Sequence, residues 1–264
     1  MRRHVEALAQ NERNTDLETP ARYIENAFGE KSLSQVFESG GRKVRNLELG
    51  SGPIVVGAHY DTVPGSPGAD DNASGVAVLI ELSRLFPGAG IRCVAFANEE
   101  VPYFLGPEMG SFAFARRSRE RRETLRAMFS LEMLGYYREA PGSQHYPFPL
   151  GFFYPDRGDF IAFVGDLGAR RLVRRSVELF RKNSRFPAEG LAAPSIVPGV
   201  SWSDHWSFRR HGYPAVMVTD TAFYRYPHYH LPSDTPEKLD YERMARLTMG
   251  LAAMLQELAQ EHGR

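Results

Sequence analysis

His59, Asp61 and Asp71, the pair Glu99–Glu100, Glu132, and the pair Tyr229–His230 are the residues of this chain whose types and placement suit chemistry. All but Asp71 lie just beyond an apolar run. His59 and Asp61 follow PIVVGA, Glu99 and Glu100 follow RCVAFAN, and Glu132 follows AMFSL. Tyr229 and His230 lie in YPHYHLPSDT, a loop beyond PAVMVTD, while Asp71 stands at the entry to the next helical run. Taken singly, each has a plainer reading: a core or surface histidine, a solvated glutamate pair, an aspartate capping a helix. Together they place charge repeatedly beside core strands, where unpaired charge is costly. A cation resolves that conflict. Two histidines with several carboxylates suit Zn²⁺, with Mn²⁺ or Co²⁺ as alternatives. Asp71, Glu100 and Glu132 supply three negative charges against the four of two such ions, and a bridging hydroxide of lowered pKa would neutralise the remainder. Glu99 is then the free carboxylate that takes a proton from water and passes it to a leaving group.

Elements at regular intervals must bring these residues together. PIVVGA, IRCVAFA, AMFSL and PAVMVTD read as central strands, and LSQVFES and KVRNLEL, separated by Gly40 and Gly41, as a hairpin. Helical spacing of apolar residues covers the first thirty residues, Val76 to Phe86, Ser111 to Arg119 and Ala169 to Lys182. In the closing helix Met244, Leu247, Leu251, Met254 and Leu258 form one stripe to be buried. Strands alternating with helices predict an α/β fold, a three-layer sandwich with a central, mostly parallel mixed sheet and helices on both faces. In such a sheet, ligands collect at the carboxyl ends of the strands, so residues from 59 to 230 can share one crevice. One domain over residues 1–264 is expected, with the irregular segment 141–160 shaping a pocket; Phe148, Phe152, Phe153, Tyr154 and Phe160 are candidates to line it.

Composition narrows the partners. Lys plus Arg equals Asp plus Glu at 32 each, so no net field draws nucleic acid or an anionic membrane. Cys93 is the only cysteine, which excludes an intramolecular disulfide and a cysteine-based metal site. No signal-peptide pattern opens the chain and no apolar run reaches membrane-spanning length, so a cytoplasmic location is expected. The chain has no HExxH, no G-x-S-x-G elbow and no G-x-x-x-x-G-K-[ST] loop, and Ser203-Asp204-His205, adjacent in sequence, argues poorly for a triad that needs adjacency in space.

The motifs GAHYDTVPGSPGADDNASG, NEE, SLEMLGYY and HYHLPSDT, in that order, resemble the zinc aminopeptidase family that includes bacterial leucine aminopeptidases and glutamate carboxypeptidase, with glutaminyl cyclase a more distant relative. The resemblance runs from about Val55 to Tyr241. It implies that His59, Asp71, Glu100, Glu132 and His230 are metal ligands. Asp71 would bridge, with His59 and Glu132 completing one ion and Glu100 and His230 the other. It implies Glu99 as general base, Asp61 as the carboxylate that orients His59, Tyr229 as the phenol that stabilises the oxyanion, and a cis peptide between Asp71 and Asn72. Asp70 falls where no ligand is required. Glu132 departs from the pattern, since many relatives carry aspartate there; its extra methylene moves the carboxylate unless the backbone compensates. The expected activity is removal of an N-terminal residue from a peptide or aminoacyl substrate. The alternatives are a single-zinc, glutaminyl-cyclase-like acyltransferase and a non-catalytic binding domain on the same scaffold. The sequence leaves substrate preference and oligomeric state open.

Overall fold

The computed structural model describes residues 1–86 and 90–261. The N-terminal helical reading resolves into two helices, α1 (Arg2–Leu8) and α2 (Glu18–Phe28), with residues 9–17 irregular between them. Next comes the expected hairpin of β1 (Leu33–Ser39) and β2 (Arg42–Leu49). Its turn needs two consecutive residues at positive φ, and Gly40 (56°) and Gly41 (72°) adopt it without the Cβ penalty other residues carry.

The chain then alternates: β3 (Ile54–His59), α3 (Gly75–Leu85), β4 (Ile91–Phe96), α4 (Gly110–Glu120), β5 (Ala127–Glu132), β6 (Ile161–Asp166), α5 (Arg170–Asn183), β7 (Ala188–Ala193), α6 (His205–Arg210), β8 (Ala215–Thr219) and α7 (Tyr241–Gln260). One sheet of eight strands results, in the order β1-β2-β4-β3-β5-β8-β6-β7. Its four central strands, β4, β3, β5 and β8, run parallel. The hairpin joins antiparallel through β2 to β4, and β6 and β7, parallel to each other, run against β8. β6 and β7 are two strands beyond the sequence expectation. Among the described residues, no helix is long and apolar enough to cross a membrane.

Alternation along each strand separates the layers. Ile54, Val56 and Ala58 of β3, with Phe129 and Leu131 of β5, join a core that includes Val76, Leu79 and Ile80 of α3 and Met244, Leu247, Leu251, Met254 and Leu258 of α7. The predicted stripe of α7 is therefore the buried one. The intervening residues Val55, Val94 and Met128 point to the other face, against Phe114 of α4 and Phe208 of α6. Farther along that second face, Ala162 and Val164 of β6 and Met217 of β8 cluster with loop residues that include Val200, apart from the residues of α4 and α6. The three layers and the helices on both faces are those expected. The parallel strands bring their carboxyl ends to one edge, and the cluster on β6 and β8 lies beside it.

Candidate active site

Each of the four parallel strands delivers polar residues to that edge. β3 ends on His59; β4 is followed within four residues by Glu99 and Glu100; β5 ends on Glu132; the loop after β8 carries Tyr229 and His230. Asp71 arrives just before α3, across the cis Asp71–Asn72 peptide. All eight residues singled out in the sequence meet at this edge. His59, Asp61, Asp71, Glu99, Glu100 and Glu132 are buried there.

Two sets of donor atoms share Asp71. His59, Asp71 and Glu132 form one, and Asp71, Glu100 and His230 the other, with the donor atoms of each within 4.8 Å of one another. His59 Nε2 lies 3.4 Å from Asp71 Oδ1 and 3.4 Å from Glu132 Oε2. His230 Nε2 lies 3.0 Å from Asp71 Oδ2 and 3.5 Å from Glu100 Oε1. Thus Asp71 turns one oxygen to each histidine. All four separations exceed the usual 2.7–2.9 Å of a charge-assisted hydrogen bond. They match two donors of one tetrahedral zinc ion, which at about 2.05 Å each stand about 3.3 Å apart. His59 Nε2 and Asp71 Oδ1 are buried and hydrogen-bonded to no other described atom, the pattern of lone pairs aimed at a cation, while His59 Nδ1 faces Asp61. The donors present therefore fit a metal centre.

Electrostatics at the edge follow from burial and crowding. Burial pushes Glu99 well above the ordinary carboxylate range; His59 opposes this, while Glu100, Glu132 and Asp204 add to it. Glu100 is raised by burial and by Asp71, to about 7. For His230, burial disfavours the charged form, but hydrogen bonds to Asp71 and Glu100 outweigh it and raise the ring to about 10. Burial, then Asp71, Glu100 and the other acids, raises the Tyr229 phenol, which stays a proton donor at neutral pH. The Tyr229 ring stacks on that of His230 with centroids 3.7 Å apart.

Neighbouring groups set these side chains in place. Asp61 Oδ1 stands 3.5 Å from His59 Nδ1, and its two oxygens also accept the N–H groups of Glu99 (3.0 Å) and Glu100 (2.9 Å). Asp61 is thus a clamp on the glutamate turn as well as a neighbour of the histidine. Asn72 Nδ2 donates to Leu131 O and its Oδ1 accepts from Met133 N, tying the end of β5 to the start of α3. Asn98, Met133 and His230 hold φ of 57°, 50° and 60°, a conformation uncommon outside glycine, each at or next to a site residue.

Ser203 was read from the sequence only as part of a poor triad. Its hydroxyl donates to Glu132 Oε2 at 2.7 Å and contacts Ser130 Oγ at 2.7 Å, so the longer acid is held in place from the loop before α6. No spacing rule links a serine to a glutamate 71 residues away. Asp204, beside it, is fully buried, with neither carboxylate oxygen hydrogen-bonded to a described atom, and burial raises it to about 7. His205 Nε2 contacts Val200 O at 2.9 Å, so the three adjacent residues form no triad. Asp70 turns away from the site and accepts the N–H of Gly135.

A pocket opens between Glu132 and Tyr229 and runs over one face of β6, β7 and β8. Ala162, Val164, Leu191 and Met217 floor it; Tyr146, Leu150, Tyr154 and Phe160, from the segment expected to shape it, help wall it. Phe148, Phe152 and Phe153 correct that expectation. They are 87%, 78% and 76% exposed and do not line the pocket, because the turns at Pro147–Phe153 carry their rings outward.

The profile of peptidase family M28 matches residues 44–255. An uncharacterised Escherichia coli protein, YfbL, is 41% identical over 91% of this chain and 80% of its own length. The Legionella pneumophila LapA aminopeptidase structure superposes with a TM-score of 0.76 at 20% identity, over 100% of this chain and 73% of that one. The Porphyromonas gingivalis glutaminyl cyclase gives 0.69 at 19% identity, over 97% and 96%. The chain spans about half the length of the curated fungal leucine aminopeptidases it also matches, 53% in that of Arthroderma otae. The family match over residues 44–255, a span that contains every residue of the candidate site, places this chain in peptidase family M28.

Proposed function

We propose that this chain is a zinc-dependent aminopeptidase that releases an apolar N-terminal residue from peptides. The observation that carries the reading is the sharing of Asp71 between two donor sets, buried except at His230. His59, Asp71 and Glu132 would hold one zinc ion and Asp71, Glu100 and His230 a second, with cobalt or manganese as substitutes. When bound, such ions polarise the scissile carbonyl and lower the pKa of water.

The chain's own residues supply the rest. Glu99, whose Oε2 lies 4.0 Å from His59 Nε2, takes the proton of the attacking water and delivers it to the departing amine. Tyr229 donates its phenol hydrogen to the oxyanion of the tetrahedral intermediate. Asp61 fixes the Glu99–Glu100 turn and Ser203 fixes Glu132, so the reacting groups move little during turnover. The pocket over β6, β7 and β8 receives the side chain of the residue to be removed, and its apolar floor favours leucine-like or aromatic groups.

Metal analysis of the purified chain, with hydrolysis of aminoacyl anilides and short peptides, tests the proposal. Zinc with release of single N-terminal residues is expected. Cyclisation of an N-terminal glutamine peptide with one zinc per chain would favour the cyclase reading instead, and absence of both metal and turnover would favour a binding domain.

A further inference from the structure

The stretch between His59 and Asp71 carries a proposed ligand at each end, yet it has no strand or helix from Tyr60 to Gly68. Its path is set from outside, by Glu12 and Arg13 in the irregular segment between α1 and α2. Arg13 lies beyond the span matched by the family profile and is 3% exposed. Its Nε donates to Tyr60 O (2.8 Å), its Nη1 to Leu8 O (2.8 Å) and Pro67 O (2.6 Å), and its Nη2 to Gly68 O (2.9 Å). The Arg13 N–H donates to Thr62 Oγ1 at 2.8 Å, and Glu12 accepts the N–H of Gly65. Packing is tightest at Gly68, in the left-handed region at φ 62°. A Cβ there would stand 2.2 Å from Asp71 O and 2.9 Å from Arg13 Nη2. Among the described residues, this guanidinium gives no hydrogen bond to a carboxylate. Three of its four acceptors lie on this loop, and a planar fork used wholly on main-chain carbonyls is a rigid template for it.

We propose that Arg13 is a positioning residue for the metal centre: by tying Tyr60, Pro67 and Gly68 to one guanidinium, it fixes His59 relative to Asp71. This rests on the metal-centre reading above. Two effects of removing Arg13 oppose each other. Loss of a buried positive charge near Asp61 and Asp71 would draw a divalent cation in more tightly, whereas loss of the template would loosen the ligands and weaken binding. The proposal requires the second to win, so the sign of the change decides.

The test compares Arg13→Lys and Arg13→Gln with the unaltered chain and with Ile24→Ala, a fully buried apolar residue of α2 with no hydrogen-bonding side chain. Zinc affinity is measured by chelator competition, ligand geometry by the visible spectrum of the cobalt-loaded protein, and stability by thermal unfolding. Both Arg13 variants should bind zinc at least about tenfold more weakly and shift the cobalt bands. Ile24→Ala should lose stability yet keep both the affinity and the spectrum. Unchanged or tighter zinc binding in Arg13→Lys would overturn the proposal, and that variant decides alone if Arg13→Gln does not fold. Failure of the unaltered chain to take up zinc or cobalt would overturn the metal centre and the role of Arg13 together, a result distinct from the first.

Discussion

Two groups of buried acids lie side by side in this molecule, and the adjacent residues Asp70 and Asp71 belong one to each. Asp70, Asp220 and Asp234 are satisfied mainly by the backbone. Asp234 accepts from the N–H groups of Asp70 and Asp71 and from the Tyr226 hydroxyl; Asp220 accepts from Tyr136 and Ala222; Asp70 accepts from Gly135. Five of the six oxygens are thereby engaged, Asp70 Oδ2 being the exception. In the other group, Asp71, Glu99, Glu100 and Glu132 accept no backbone N–H among the described residues; Ser203 is the hydroxyl donor to Glu132. Burial is the same in both; the supply of donors differs. A buried carboxylate surrounded by amides is a structural joint, whereas one facing a histidine and other acids without amides is a ligand or a base.

Substitution can break that contrast at either end. Glu99→Gln should lower kcat for aminoacyl anilides by about a hundredfold to ten-thousandfold while the protein keeps its zinc, as turnover assays with metal analysis would reveal. Full activity would remove Glu99 from the role given to it. The histidines carry the next largest effect. His205 is buried and pushed down to about 4 by that burial, against an opposing hydrogen bond to Val200 O. It stays neutral when folded and protonates more readily when unfolded, so its contribution is complete above about pH 6.5 and fades as pH falls toward 4. From that shift, about 3 kcal/mol separates the two limits. The unfolding free energy of His205→Gln should lack that part of the slope between pH 6.5 and 4, and an unchanged slope would refute the assignment. Smallest is Asp220→Asn, which turns an amide NH₂ toward a backbone N–H at a cost of about 1–3 kcal/mol. Denaturant unfolding would show the loss with zinc content unaltered; loss of zinc instead would dissolve the distinction between the two groups.

Legibility from the sequence followed the same divide. The central strands were readable because VVGA, CVAFA, MFSL and AVMVT are predominantly apolar runs, as strands buried on both faces must be. The candidate residues stood out because charge follows each run. β6 and β7 were not. β7 is AEGLAA at the edge of the sheet, made of small half-exposed residues with weak strand preference, and β6 follows a Pro-rich aromatic stretch that reads as one long loop. α6, six residues long, is too short for a period to show. Ser203 and Arg13 act through contacts with distant main chain or side chains, which no local pattern records. Which aromatics of the segment 141–160 turn inward depends on turns that sequence spacing does not encode.

The reversal of β6 and β7 relative to β8 has a consequence for how such a protein diversifies. These strands end at the far margin of the sheet, so Ala162, Val164 and Leu191 bound the recess but lie outside both donor sets. Changing their bulk alters what fits without moving the groups that react. On the proposed function, selectivity and reactivity would be separately heritable, and a lineage or an engineer could retune one while the other is inherited intact.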